Sequence, residues 1–372
     1  MSALSYYIRF GRWQKAKPSL EEHSEAGRIR VRNKLYVIGG YQTLTRMCNK
    51  MQIYDIETDE WTYGPGLPSG FPLSHAGIAT DGRYIFVVSG QPGPACEPAT
   101  DKCWALDLYN MTWESLAPLP GARYAPVLQY VSGNLHLISG AIEDRVTIST
   151  DHFVLRVRES SDQSLLDPSF LKTQAWQKGP GIPVGGDHAG SVVLDNMIFV
   201  IGGEHGHGAM TFDPAKCCGT YHVHNLLYRF SPIEQKWERL ADMPWGSSHI
   251  ESQILIIDGR IIVLGGTGNR DIFVNRVQEY DPNRNCWRQM DRLPHGRKGG
   301  LVWEKRGFIY FNGGQTISGR NPVVAETMVA KVKCGSWLAS ETSKIFNNVL
   351  RGAAAICGLR RVQARCLPLR TL

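Results

Sequence analysis

Eleven polar residues recur at two kinds of place along this 372-residue chain. His75, Arg123, Tyr124, Asp187, His188, His249, Glu251 and Lys298 stand just ahead of, or at the start of, a strand-length apolar run. Gln91, Glu204 and Gln315 stand just past glycine turns. Brought to one mouth, such side chains would form a polar pocket for a carboxylate, a sugar or an acidic peptide. Arg and Lys would hold the anion, while His and Tyr would donate hydrogen bonds. The same residues could instead cap strand ends and bond neighbouring units, and both readings stand at this stage. Three histidines in the set, His75, His188 and His249, invite a metal reading. A catalytic zinc needs three ligands at about 2.0–2.1 Å with an oriented second shell. Nothing in the spacing enforces that, so no metal ligand is assigned. His205, His207, His222 and His224 form a denser cluster with Cys217 and Cys218, read here as a polar loop. The sequence contains no nucleophile elbow, P-loop or dinucleotide fingerprint, so neither a catalytic residue nor a cofactor is expected.

The elements that must position these residues repeat. Six apolar runs end in a glycine turn: Leu35–Gly40, Ile85–Gly90, Leu135–Gly140, Ile198–Gly203, Ile261–Gly266 and Phe308–Gly314. Each final Gly follows a tryptophan, Trp13, Trp61, Trp113, Trp176, Trp237 or Trp287, by 27 or 29 residues. A proline stands seven residues after every one of these but Trp13. Hairpin signals such as Asp81-Gly82 and Asp258-Gly259 precede the glycine runs. A unit of about 50 residues with several short strands predicts an all-β propeller. The reading is six blades of four antiparallel strands, closed by an N-terminal strand carrying Trp13 on the outer edge of the last blade. Trp337 competes for that slot, but no Leu-Pro follows it, and Trp13 keeps the 27-residue distance to its glycine turn.

The order of a glycine pair, an aromatic-Asp and a Trp resembles the kelch repeat from Trp13 to about Lys333. Ser74-His75, Asp81-Gly82-Arg83-Tyr84, Arg123-Tyr124-Ala125-Pro126 and Ser248-His249-Ile250-Glu251-Ser252 resemble a plant and algal group of kelch-repeat proteins within the galactose oxidase/kelch superfamily. The resemblance implies a scaffold that presents its 2→3 and 4→1 loop face to a protein or carbohydrate ligand. It also offers an alternative, a sialic-acid mutarotase-like epimerase with Arg123, His249 and Glu251 in the mouth. Members of the group commonly carry an N-terminal anchor, which implies a Golgi or other endomembrane location. As written, this chain reads as cytoplasmic.

Residues 1–11 are expected to form an extension, 12–334 the propeller, and 335–372 a basic tail, helical or disordered. The formal charge is +7. The tail after Cys334 carries a net +5 of it, so the propeller is nearly neutral and gives no reason to expect nucleic acid as a partner. Membrane association is expected only through the tail or a missing anchor, and the protein is expected to be a monomer. Cys96 and Cys103 could pair across one loop or stay free thiols. The longest inserts, Glu159–Thr173 and Glu204–Val223, mark blades three and four, and loops on a rigid scaffold are where function is usually carried.

Overall fold

The structure, a computed structural model, describes residues 6–336 apart from 44, 71, 95–96, 159–170, 172, 206–221, 270–271 and 317–321. Six antiparallel sheets form the blades of a ring. Blade two shows the pattern: Gly77–Thr80, Tyr84–Val88, Cys103–Asp107 and Thr112–Ser115 pair in sequence order. Every residue of Tyr84–Val88 is buried, because the adjacent blades cover both faces of the second strand. The inner strands converge so closely that a Cβ on Gly77 would stand 2.7 Å from Leu128 Cβ of the next blade. Gly90 turns the chain out of the second strand with φ of 100°, where a Cβ would come within 2.6 Å of the Ser74 carbonyl oxygen.

The outer-strand tryptophans fasten blade to blade. The indole N–H of Trp113 donates to Gly66 O at 2.8 Å, Trp176 to Ala117 O at 3.1 Å, Trp237 to Pro180 O at 2.8 Å and Trp287 to Ala241 O at 2.7 Å. Every acceptor lies in the linker leaving the preceding blade. This explains why Trp and the following linker keep a fixed spacing in the sequence. Trp61 stands beside the blade where the chain closes, and it packs instead on Tyr54 and Trp303 at 5.0 and 6.4 Å between centroids.

Closure follows the expected N-terminal route. Blade six consists of Lys298–Lys305, Phe308–Gln315 and Thr327–Ser336, and its outer edge is shared by two short N-terminal pieces. Gln14–Ala16 pairs with Thr327–Val329, and Tyr6–Phe10 pairs with Val332–Ser336. Trp13 sits between these pieces against Phe10. The outer strand thus begins at Tyr6, earlier than the expected start at residue 12, and its partner runs on to Ser336. Ile8 and Phe10 are buried while Arg9 is exposed, the alternation of a half-buried strand. Trp337, the rest of the basic tail and residues 159–170 and 172 of the Glu159 insert lie outside the described residues; Leu171 is buried in the core between blades two and three. Cys103 is a buried free thiol, and Cys96 lies outside the described residues.

Candidate functional site

At the start of each blade one residue adopts a left-handed backbone. In blade order these are Glu25, His75, Ala125, His188, His249 and Gly299, with φ between 46° and 62°. Left-handed geometry costs roughly 1–2 kcal/mol per residue with a Cβ. It persists here because main-chain bonds tie the positions into a ring. Glu25 N donates to Gly299 O at 3.0 Å, His75 N to Glu25 O at 3.2 Å, His188 N to Ala125 O at 3.3 Å and Gly299 N to His249 O at 3.3 Å. The residue before each ring position pairs with the residue after the glycine turn: Ser24 with Tyr41, Ser74 with Gln91, Tyr124 with Ala141, Asp187 with Glu204, Ser248 with Thr267 and Lys298 with Gln315. Strained backbone repeated at one end of a channel is the kind of outlier that marks a functional site.

Side chains of this ring meet at the end of the channel. The imidazoles of His188 and His249 stack at 3.8 Å, and His75 meets His188 edge-on at 5.0 Å. The Tyr124 hydroxyl lies 3.2 Å from His75 Nε2, and Ser74 Oγ lies 2.7 Å from His75 Nδ1. His188 Nδ1 donates to Glu251 at 2.6 Å. Ser248 Oγ donates to Glu204 at 2.6 Å and stands 3.1 Å from His249 Nδ1. Burial would lower the His188 pKa, but the Glu251 carboxylate outweighs it and raises the group to about 10. Burial, reinforced by the Glu251 charge, raises Glu25 to about 8. Asp187 is also held well above the usual carboxylate range by burial, and Glu204 is raised for the same reason. The surroundings thus favour the charged form of His188 beside Glu251 and the protonated form of Glu25.

Of the eleven residues singled out in the sequence, the structure brings together His75, Tyr124, Asp187, His188, Glu204, His249 and Glu251. Lys298 joins through its charge, which acts on Glu25 and Glu204, and its Nζ stands over the Phe273 ring. Gln315 flanks Lys298 in the blade-six ladder. Gln91 adjoins the cluster through blade one: it donates to Tyr41 Oη at 2.8 Å, whose ring meets His75 edge-on at 5.7 Å, and to Pro94 O of its own loop at 2.7 Å. Arg123 does not reach the cluster. Its guanidinium turns back to Asp151 at 2.6 Å and to Ala122 O at 2.9 Å, and lies over Phe153. Arg145 takes the place expected of it, 4.3 Å over the Tyr124 ring. Glu25 and Arg145 were missed in the sequence. The Ser-X pair common to Ser24-Glu25, Ser74-His75 and Ser248-His249 would have revealed Glu25. Arg145 lies in the 2→3 loop of blade three, between Ile138 and His152, outside the positions that repeat in the sequence.

The cluster is a buried plug, with Asp187, His188 and Glu204 wholly inaccessible. Beneath it the channel holds a cavity of about 320 Å³ that reaches Glu25, His75 and Glu251. Exposure rises along its walls toward the 1→2 hairpins, from buried Glu25 to exposed Arg30. Arg28 reaches from blade one to the inner strands of blades six and five, donating to Val302 O at 2.6 Å and Ile254 O at 3.1 Å. Burial lowers its pKa to about 10.

On the outside of the plug's end, a groove of about 460 Å³ separates the 2→3 loops of blades four and five from the Pro244–Gly246 linker. Trp245 and Ile272 are exposed there, 36% and 57%. Arg276 stands 5.2 Å over the Trp245 ring. Gln278 clamps the Trp245 backbone, accepting from its N–H at 3.1 Å and donating to its carbonyl at 2.9 Å. Asn269 accepts from Val223 N at 3.1 Å and ties the two loops together.

Ring and blades together define a six-bladed β-propeller. A kelch motif profile matches residues 30–68, 187–244 and 253–294. Over 335 residues the chain is 31% identical to the Kelch repeat-containing protein At3g27220 of Arabidopsis thaliana, covering 87% of this chain and 76% of that protein. It is 24% identical to the Kelch-like protein terF of Aspergillus terreus, covering 82% of this chain and 63% of that one. It is 23% identical to Kelch-like protein 23 of Homo sapiens, covering 70% and 48%. The solved structure of YjhT superposes with a TM-score of 0.66 over 86% of this chain and 99% of that chain, at 14% identity, which shows the fold alone. The chain belongs to the kelch-repeat family.

Proposed function

We propose that this propeller is a protein-binding scaffold, and that its docking surface is the 2→3 and 4→1 loop face centred on the Trp245–Ile272 groove. The single observation that carries this is an exposed Trp held rigid by its neighbours. Interface energy concentrates in Trp, Tyr and Arg anchors whose ordering cost is already met. Trp245 and Arg276 are such a pair, and Ile272 beside them adds apolar area. A partner segment offering an apolar side chain and a carboxylate matches this chemistry. Kelch-repeat proteins generally act as interaction scaffolds, which agrees with the reading.

The epimerase alternative draws less support from the geometry than the scaffold reading. Arg123 is bonded to Asp151, and His249 is buried in the plug. An open sugar pocket combining them with Glu251 is absent among the described residues.

Partner binding by the full chain tests the proposal. Trp245→Ala and Ile272→Asp are expected to weaken a captured partner's affinity by roughly 30-fold or more each, the scale of a hot-spot residue. Unchanged affinity in both variants, with the fold intact, would count against the groove.

A further inference from the structure

The channel plug carries more ligand chemistry than a scaffold needs. Of the six equivalent ring positions, four hold Glu25, His75, His188 and His249, while Ala125 and Gly299 are small. One ligand atom each from Glu25, His75 and His188 lies within 4.8 Å of the other two, and all three residues are buried. We propose that Glu25, His75 and His188 bind a divalent transition-metal ion of the zinc class at the closed end of the channel.

Two histidine nitrogens and one carboxylate oxygen form the donor set that suits such an ion. The histidines are oriented for it. Ser74 Oγ engages His75 Nδ1 at 2.7 Å, and Glu251 engages His188 Nδ1 at 2.6 Å. Holding Nδ1 this way assigns Nε2 of each ring to the metal, and a carboxylate or hydroxyl behind a ligating imidazole is the usual second shell. Glu25 Oε2 is buried and makes no hydrogen bond, and it lies 3.9 Å from His75 Nε2. The Tyr124 hydroxyl, 3.2 Å from His75 Nε2, adjoins the remaining position. Ligands of a tetrahedral ion at about 2.1 Å stand roughly 3.4 Å apart, so a contraction of about an ångström on binding completes the site. Glu25, Asp187, Glu204 and Glu251 converge on this plug. An incoming ion takes the place of the protons held on Glu25 and on His188 Nε2, so binding releases protons. The channel cavity touches both Glu25 and His75 and supplies the path from the hairpin face.

A second set, His188, Glu204 and His249, shares one ligand with the first. Its Glu204 and His249 are already joined through Ser248, which favours the first set.

The test uses the full untagged chain, stripped with chelator and dialysed. Zn²⁺ is titrated by calorimetry and Co²⁺ by visible absorption. One equivalent of each is expected to bind, with a low-coordinate nitrogen/oxygen cobalt spectrum. Glu25→Gln and His75→Ala should each weaken binding by about 100-fold or more, and Glu251→Gln by roughly 10- to 100-fold. His205→Ala, on the outer loop, should leave it unchanged. Failure of the wild-type chain to take up either metal would overturn the proposal. So would a folded Glu25→Gln variant of unchanged affinity, or loss of binding in His205→Ala alone. If the variants do not fold, the wild-type cobalt spectrum and stoichiometry decide the matter.

Discussion

His188 and His249 occupy the same position in neighbouring blades and stack face to face, 3.8 Å apart and 11° from parallel. Two charged imidazoles would repel in that geometry. The two rings differ in their Nδ1 partners: Glu251 is hydrogen-bonded to His188 at 2.6 Å, while Glu204, bonded to Ser248, stands 3.6 Å from His249. Removing the Glu251 charge by Glu251→Gln is expected to cost about 1–3 kcal/mol, since the acceptor is partly open to water. Urea unfolding of the two proteins at neutral pH measures it. No change would mean that the stack needs no charge asymmetry.

Gly299 is the ring position facing Glu25. A Cβ there would stand 2.6 Å from Glu25 Cδ and Ser24 Oγ. Gly299→Ala is therefore expected to destabilise by about 1–3 kcal/mol, through overpacking and a left-handed backbone. Gly82→Ala, also left-handed but with open space around it, supplies the comparison for backbone strain alone. Equal losses in the two variants would show that Glu25 does not crowd the ring centre.

The N-terminal strand completes blade six, and the described part of its partner ends at Ser336. Deleting residues 1–17 removes buried Ile8 and Phe10 and leaves that blade three strands wide. A loss of at least ~3 kcal/mol is expected from those two side chains alone. A chain ending at Ser336 is expected to stay within ~0.5 kcal/mol of the full length, the scale of surface changes. Thermal and urea melts of both truncations check this, and the reverse ranking would hand the closing role to the C-terminal side.

Acid should loosen the blades at three buried histidines. Burial lowers His23 and His152 to about 4 and His136 to about 3, and in His136 the adjoining His152, 2.9 Å away, adds to the effect. In the unfolded chain these groups protonate near 6.5. Above that pH both states are neutral and nothing is lost. As pH falls below it, only the unfolded chain gains protons, so stability drops until the folded-state values are reached. Each imidazole is expected to cost about 1 kcal/mol by pH 5.5. His152→Asn should show a smaller fall between pH 7.5 and 5.5 than the wild type. Parallel pH profiles would contradict the assignment.

The propeller was legible because its packing rules are local and repeated. The outer-strand Trp residues of blades two to five each reach the carbonyl of the preceding linker, and each turn glycine must take a conformation that a side chain would block, so both recur at fixed distances. The start at Tyr6 was also legible in principle, since Ile8, Arg9 and Phe10 alternate like a strand. Using Trp13 as the marker hid it. The site was legible only as a set of positions. Where a long side chain goes depends on partners far along the chain, and so Arg123 was expected in the mouth while Asp151, 28 residues on, holds it elsewhere. The closed plug was hidden too. Sequence shows which residues precede a strand, but not that a left-handed backbone turns six of them onto one axis.

The docking face is tested most directly by photo-crosslinking from two positions on opposite ends of the propeller. A photoreactive residue at Ile272 probes the Trp245 groove, and one at Asp258 probes the 1→2 hairpin of the same blade. With the full chain, a partner protein is expected to crosslink from position 272, to be lost when Trp245→Ala is added, and not to crosslink from position 258. Crosslinking from position 258 alone, or from position 272 with no dependence on Trp245, would contradict the assignment of this face.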